Sequence, residues 1–133
     1  MAKEISEWNG YAVYGDTREL DNICTSAGII ALDKHDIITV LSADGENYVT
    51  SCVNANLGEA FNNAVSSLPC KIDKVNNLLI NFRCGNKQLK MSELSSITAT
   101  LSDANPDIDI RWGMSSDDSS DDLYKVVILA SVK

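Results

Sequence analysis

Apolar positions along the chain follow two rhythms. Between residues 34 and 43, Ile37, Val40 and Leu41 share one face at i, i+3, i+4 spacing, which predicts a helix. Asp33 stands just ahead of it, where a short side-chain acceptor caps a first turn. Asp36 falls inside that turn, where negative charge suits the helix dipole, and Asp44-Gly45 ends the pattern. A second stripe, Leu57, Phe61, Ala64, Val65 and Leu68, predicts a helix over 57–68 closed by Pro69. A third, Leu94, Ile97, Thr98 and Leu101, predicts a helix over 91–101 with Ser92 as its cap. A shorter helix over 16–26 buries Leu20, Ile23 and Cys24, starts at Asp16 or Thr17, and breaks at Ala27-Gly28.

Between these helices the rhythm changes to that of strands. Residues 47–54 place Tyr48, Val49, Cys52 and Val53 in one strand. Residues 77–84, centred on Leu78-Leu79-Ile80 and continued by Phe82, form an unbroken apolar run of the kind found in a central, buried strand. Residues 108–114 and the Val- and Ile-rich 123–132 follow, separated by a polar turn over 115–122, SSDDSSDD. Gly10 and Gly15 bracket a weak alternation that fits a short edge strand. The order predicts an α+β fold, a two-layer sandwich with a mixed four-stranded sheet and helices packed on it. The strand–helix–strand–helix–strand part requires right-handed crossovers, and the last two strands form a hairpin. One domain is expected over residues 16–133, with residues 1–15 as an N-terminal extension.

Composition narrows the function. A chain of 133 residues suits one domain, and 44% hydrophobic and 23% charged residues are ordinary for a globular protein. A net charge of −8 repels phosphate backbones and anionic lipid surfaces, so no nucleic acid and no membrane is expected as partner. The opening MAKEISEW has no apolar core of a leader peptide, and no run approaches the roughly 20 apolar residues of a membrane span. A cytoplasmic protein is expected. Cys24, Cys52, Cys70 and Cys84 are widely spaced, form no C-x-x-C pair and fit reduced thiols packed in or near the core.

Motifs of catalysis are missing. The seven glycines are scattered, with no dinucleotide or P-loop pattern, so no cofactor is expected. His35 is the one histidine and sits between acids on a surface turn, which supports neither a metal cluster nor a Ser/His/Asp triad. SSDDSSDD lacks the central glycine and closing glutamate of an EF-hand loop. Three arginines, Arg18, Arg83 and Arg111, are few for an anionic-substrate pocket.

Four motifs, in order, carry a resemblance. Gly28-Ile29-Ile30-Ala31-Leu32-Asp33-Lys34-His35-Asp36-Ile37 is similar to G-L-I-N-x-D-x-x-D-[VI]. Ala64-Val65-Ser66-Ser67-Leu68-Pro69 is similar to A-I-x-S-P-L. Leu78-Leu79-Ile80-Asn81-Phe82-Arg83-Cys84-Gly85, then Leu89 and Glu93, is similar to V-L-x-N-I-T-G-G followed by D-L-x-L-x-E. Asp109-Ile110-Arg111-Trp112-Gly113, then Asp117, Asp122 and Lys125-Val126-Val127-Ile128-Leu129-Ala130, matches N-I-I-[FW]-G and D-x-x-x-x-D-x-x-R-V-T-V-I-A. Together they resemble the C-terminal domain of FtsZ, the bacterial tubulin homologue.

The resemblance implies an acidic loop that reaches the nucleotide pocket of a neighbouring subunit, where its carboxylates position the water that attacks the γ-phosphate. Asp33 and Asp36 match those two acids, and Ala31 stands where the family has asparagine. No counterpart of the GTP-binding domain is present in these 133 residues, so no catalysis is expected from the chain alone. What remains is an interaction module of the cell-division kind, with Ile30, Ala31, Leu32, Asp33, Lys34, His35 and Asp36 as partner-binding residues and Asp33 and Asp36 as acids offered in trans. The expected partner is an FtsZ-like GTPase. The alternative is a self-assembling scaffold, a homo-oligomer with no GTPase partner. Helix capping explains both acids without any partner.

Overall fold

The structure, a computed structural model, describes residues 5–25, 28–30, 32–43, 45–68, 71–84, 91–116 and 123–132. In chain order its elements are β1 (Ile5–Trp8), β2 (Tyr11–Tyr14), α1 (Arg18–Thr25), β3 (Gly28–Ile30), α2 (Lys34–Leu41), β4 (Glu46–Asn54), α3 (Leu57–Ser66), a 3-10 turn (Ile72–Lys74), β5 (Val75–Cys84), α4 (Met91–Ala104), β6 (Asp109–Ser116) and β7 (Tyr124–Val132).

The sheet is mixed, as expected, but it has seven strands rather than four, in the order β1-β2-β4-β7-β5-β6-β3. The four long strands are the expected ones. Of the other three, β2 is the short strand expected between Gly10 and Gly15, although β1 and not β2 lies at the sheet's edge, and β1 and β3, four and three residues long, are too short to display an alternation. β1 and β2 form an antiparallel hairpin that joins the sheet by one parallel pairing, Tyr14 with Tyr48 of β4. β3 closes the opposite end, antiparallel to β6.

The last two strands do not form the expected hairpin. β6 lies parallel to β5, and β7 inserts between β4 and β5, antiparallel to both. The reason lies in the side chains of β7: Val126, Val127, Ile128, Leu129 and Ala130 are all buried in succession. A strand with no solvent face is best placed in the middle of a sheet, where both its edges are also paired.

The same succession overturns the two-layer expectation, because helices cover both faces. On one face Leu78, Ile80 and Phe82 of β5 and Val126, Ile128 and Ala130 of β7 pack with Leu57 and Phe61 of α3 and Leu94, Ile97 and Leu101 of α4. On the other, Leu79, Val127 and Leu129 pack with Leu20 and Ile23 of α1, Ile37, Val40 and Leu41 of α2, and Trp8 and Val13 of the hairpin. Each fully buried Leu, Ile or Phe contributes roughly 1.5–3 kcal/mol.

Element ends differ in detail. α4 begins at Met91, so Ser92 is inside the helix and not its cap. α2 stops at Leu41 with Ser42 as its C-cap, ahead of the expected Asp44-Gly45. Gly28 opens a strand instead of only breaking a helix. The expected turn over 115–122 does not begin at Ser115, since Ser115 and Ser116 belong to β6; its remainder, 117–122, and Ala27, Asp44, Pro69 and Cys70 lie outside the described residues. Among the described residues no helix is long and apolar enough to cross a membrane.

Candidate interaction site

The acidic loop is anchored from both ends. Upstream, Ile30 ends β3 opposite Met114 of β6. Downstream, α2 is held to the sheet by Ile37, Val40 and Leu41. Leu32 between them is half-buried and packs against the same core, so it serves the fold as well as the loop. Ala31 lies outside the described residues.

Asp33 is the N-cap of α2, in extended conformation, and it closes a reciprocal capping box with Asp36. The Asp36 N–H donates to Asp33 Oδ1 at 3.1 Å, and the Asp33 N–H donates to Asp36 Oδ2 at 3.0 Å. Two of the four orphan N–H groups of the helix start are thereby satisfied. The second oxygen of Asp36 faces Arg111 of β6, with Nη1 at 3.5 Å from Oδ1. Both Asp36 oxygens thus have a partner within the chain.

The two acids are therefore unequal. Asp36 is half-buried and turned toward the sheet, whereas Asp33 is exposed, as are Lys34 and His35 beside it. The Thr39 hydroxyl donates to the His35 carbonyl at 2.8 Å and stiffens this turn. The loop presents a carboxylate, an ammonium and an imidazole to solvent on a fixed helix start. Asp33 can accept hydrogen bonds from a partner or orient a water. Among the described residues no group of His, Cys, Asp and Glu is placed to hold a metal ion. Cys24 is exposed, Cys52 half-buried and Cys84 buried, all as free thiols, and burial pushes the Cys84 thiol above its ordinary value.

The face of the sheet that carries this loop also holds polar groups the sequence reading did not single out. The Arg83 Nε donates to Asn81 Oδ1 at 2.7 Å, and the Asn81 amide donates to the Ser115 hydroxyl at 3.1 Å; all three residues are buried. Nearby, the Lys125 ammonium lies 2.8 Å from Glu19 of α1 and ties that helix to β7. Burial pushes the Glu19 carboxyl up, but the Lys125 hydrogen bond and charge outweigh this and hold it below its ordinary value. The available signal was the two-residue spacing of Asn81 and Arg83, which puts both on one side of an otherwise apolar strand.

No known family pattern and no curated protein matches the sequence. Solved structures do. An FtsZ from M. jannaschii, described as an empty dimer, superposes with a TM-score of 0.69 at 24% identity, over 84% of this chain and 34% of that one. A CetZ from Methanosaeta thermophila gives 0.69 at 14% identity, over 86% and 34%. A TubZ from Bacillus thuringiensis, solved as GDP-form protofilaments, gives 0.62 at 13% identity, over 80% and 30%. The chain has the fold of the FtsZ/tubulin C-terminal domain. It spans about a third of the length of the FtsZ, CetZ and TubZ chains it matches. Within this FtsZ-type fold the acidic loop lies between β3 and α2, at the end of the sheet formed by β6 and β3.

Proposed function

We propose that this domain is a protein–protein interaction module that lays its acidic loop, residues 30–36, against the nucleotide face of an FtsZ-type GTPase. It would thereby cap or modulate that protein's filaments in the cytoplasm during cell division, without catalysing a reaction alone. The observation that carries this reading is the exposed Asp33 carboxylate on a rigid helix start in an FtsZ-type fold. Lys34 and His35 add donors beside it, and Asp36 supports the loop through its pairing with Arg111. Two of the neighbours, the FtsZ dimer and the TubZ protofilaments, were solved as assemblies, which supports a role for this fold in subunit contact.

Sedimentation tests the proposal. The host's FtsZ-type GTPase is polymerised with GTP, with and without this protein at equal concentration. The expected result is co-sedimentation together with a changed polymer mass. Absence of both removes the proposal. Light scattering that instead finds the chain assembling with itself favours the scaffold reading.

A further inference from the structure

The two sides of β6 are used unequally. Along its β5 side the strand is paired over its whole length, from Asp109 to Ser116. On its other side β3 meets it only at Met114 and Ser115, and among the described residues no strand lies beside Ile108–Gly113 there. An unpaired edge offers backbone donors and acceptors at fixed spacing. This one runs for six residues, IDIRWG, or roughly 20 Å.

The side chains of this edge sort by face. Ile108, Ile110 and Trp112 are partly buried against the core under α3 and α4. Alternation puts Asp109 and Arg111 on the α1/α2 face, where Arg111 meets Asp36 of α2. That contact is long, 3.5 Å from Nη1, and leaves the Arg111 side chain 38% exposed. Asp109 is exposed and forms no ion pair among the described residues.

Charge selects the occupant and its register. A second copy laid antiparallel along this edge, with the two-fold axis through Ile110, sets each Asp109 opposite the Arg111 of the other copy. On the other face Ile110 then meets Ile110, and Ile108 meets Trp112, as cross-strand pairs. Moving the axis one residue, to Asp109 or to Arg111, sets like charges directly opposite each other, which is unfavourable. In the Ile110 register Pro106 falls opposite Met114, which β3 already holds, so the pairing stops there. We propose that the open edge of β6 pairs with the same edge of a second copy to form a two-fold dimer. The net charge of −8 on each copy opposes association and the edge is short, so the dimer is weak and forms at high concentration. Two-fold pairing consumes both edges, so it yields a dimer carrying two acidic loops and not a growing scaffold. It makes no use of Asp33, Lys34 or His35.

Sedimentation equilibrium and amide hydrogen exchange test this from about 10 μM to about 1 mM, the range of a weak contact. The apparent mass is expected to rise toward that of a dimer. At the upper end, the amides of residues 108–113 that do not bond to β5 should exchange at least tenfold more slowly. Asp109→Arg and Arg111→Asp each leave a monomer when alone. Mixed in equal amounts the two variants dimerise, because every reversed charge then faces its opposite. Asp33→Asn leaves the dimer unaltered, which separates this edge from loop docking. A monomer throughout overturns the proposal. So does a dimer that both single variants retain, that their mixture fails to restore, or that Asp33→Asn abolishes. If a variant does not fold, the concentration dependence of exchange at residues 108–113 in the unmodified protein decides.

Discussion

The two faces of the central sheet are built from the same strands and differ in kind. The face under α3 and α4 is apolar along β5 and β7, from Leu78 to Phe82 and from Val126 to Ala130. The face under α1 and α2 starts the same way, with Leu79, Val127 and Leu129, then turns polar at Asn81, Arg83, Ser115 and the Lys125–Glu19 pair. One face closes the fold. The other, with its polar groups and its acidic loop, costs stability to keep. Buried charge is a poor way to stabilise a sheet when a hydrophobic side chain of similar volume would fit.

Mutations separate the faces. The largest effect is expected from Phe82→Ala, which empties a fully buried position against Trp112 on the apolar face and should cost ~3–5 kcal/mol in chemical denaturation. Next is Glu19→Ala, which leaves Lys125 unpaired under α1. Because the Lys125 side chain keeps 21% exposure, the loss should be ~2 kcal/mol, less than for a fully buried pair. Glu19→Gln addresses the same pair by pH. The folded carboxyl titrates below its ordinary 4.5, so its contribution is present above that value and is lost as pH falls through the lower folded one. The variant should therefore show a shallower loss of stability on acidification, and an unchanged acid limb would show that the pair does not stabilise the fold.

At the loop the effects are smaller and sharper. Asp33→Ala removes the cap and should cost ~1 kcal/mol, whereas Asp33→Asn keeps a capping oxygen and should cost a few tenths. Arg111→Ala breaks a half-exposed pair at 3.5 Å and should change stability by less than ~1 kcal/mol. A larger loss would mean that Asp36 depends on Arg111 for more than surface charge.

The apolar face was legible because its signal is periodic. Each helix stripe and long strand comes from residues that repeat at 3.6 or 2, and the Asp33 cap follows from one acceptor at the right place. What escaped was set by pairing at a distance. The insertion of β7 between β4 and β5 depends on which edges remain open, and no local pattern reports that. The polar chain through Arg83 shows only as an alternation inside a run read as apolar. The β1–β2 hairpin was within reach: Asn9 and Gly10 both have positive φ, 50° and 87°, as a two-residue Asn-Gly turn requires. Its second strand showed as the weak alternation between Gly10 and Gly15, and its first was obscured because Ser6 and Glu7 break the apolar pattern. At the site, the sequence indicated two equivalent acids, and only the position of Arg111 on the adjacent strand distinguishes them.

That inequality gives the most direct test. Asp33→Asn keeps the helix cap and removes the exposed charge, so it separates recognition from folding in one atom. The measurement is the GTP hydrolysis rate of the host's FtsZ-type GTPase with wild-type protein and with Asp33→Asn at matched, saturating concentration. A wild-type effect that Asp33→Asn loses, with its thermal midpoint retained, is the predicted result. An effect of equal size from both proteins would contradict the account and leave Asp33 as a helix cap alone.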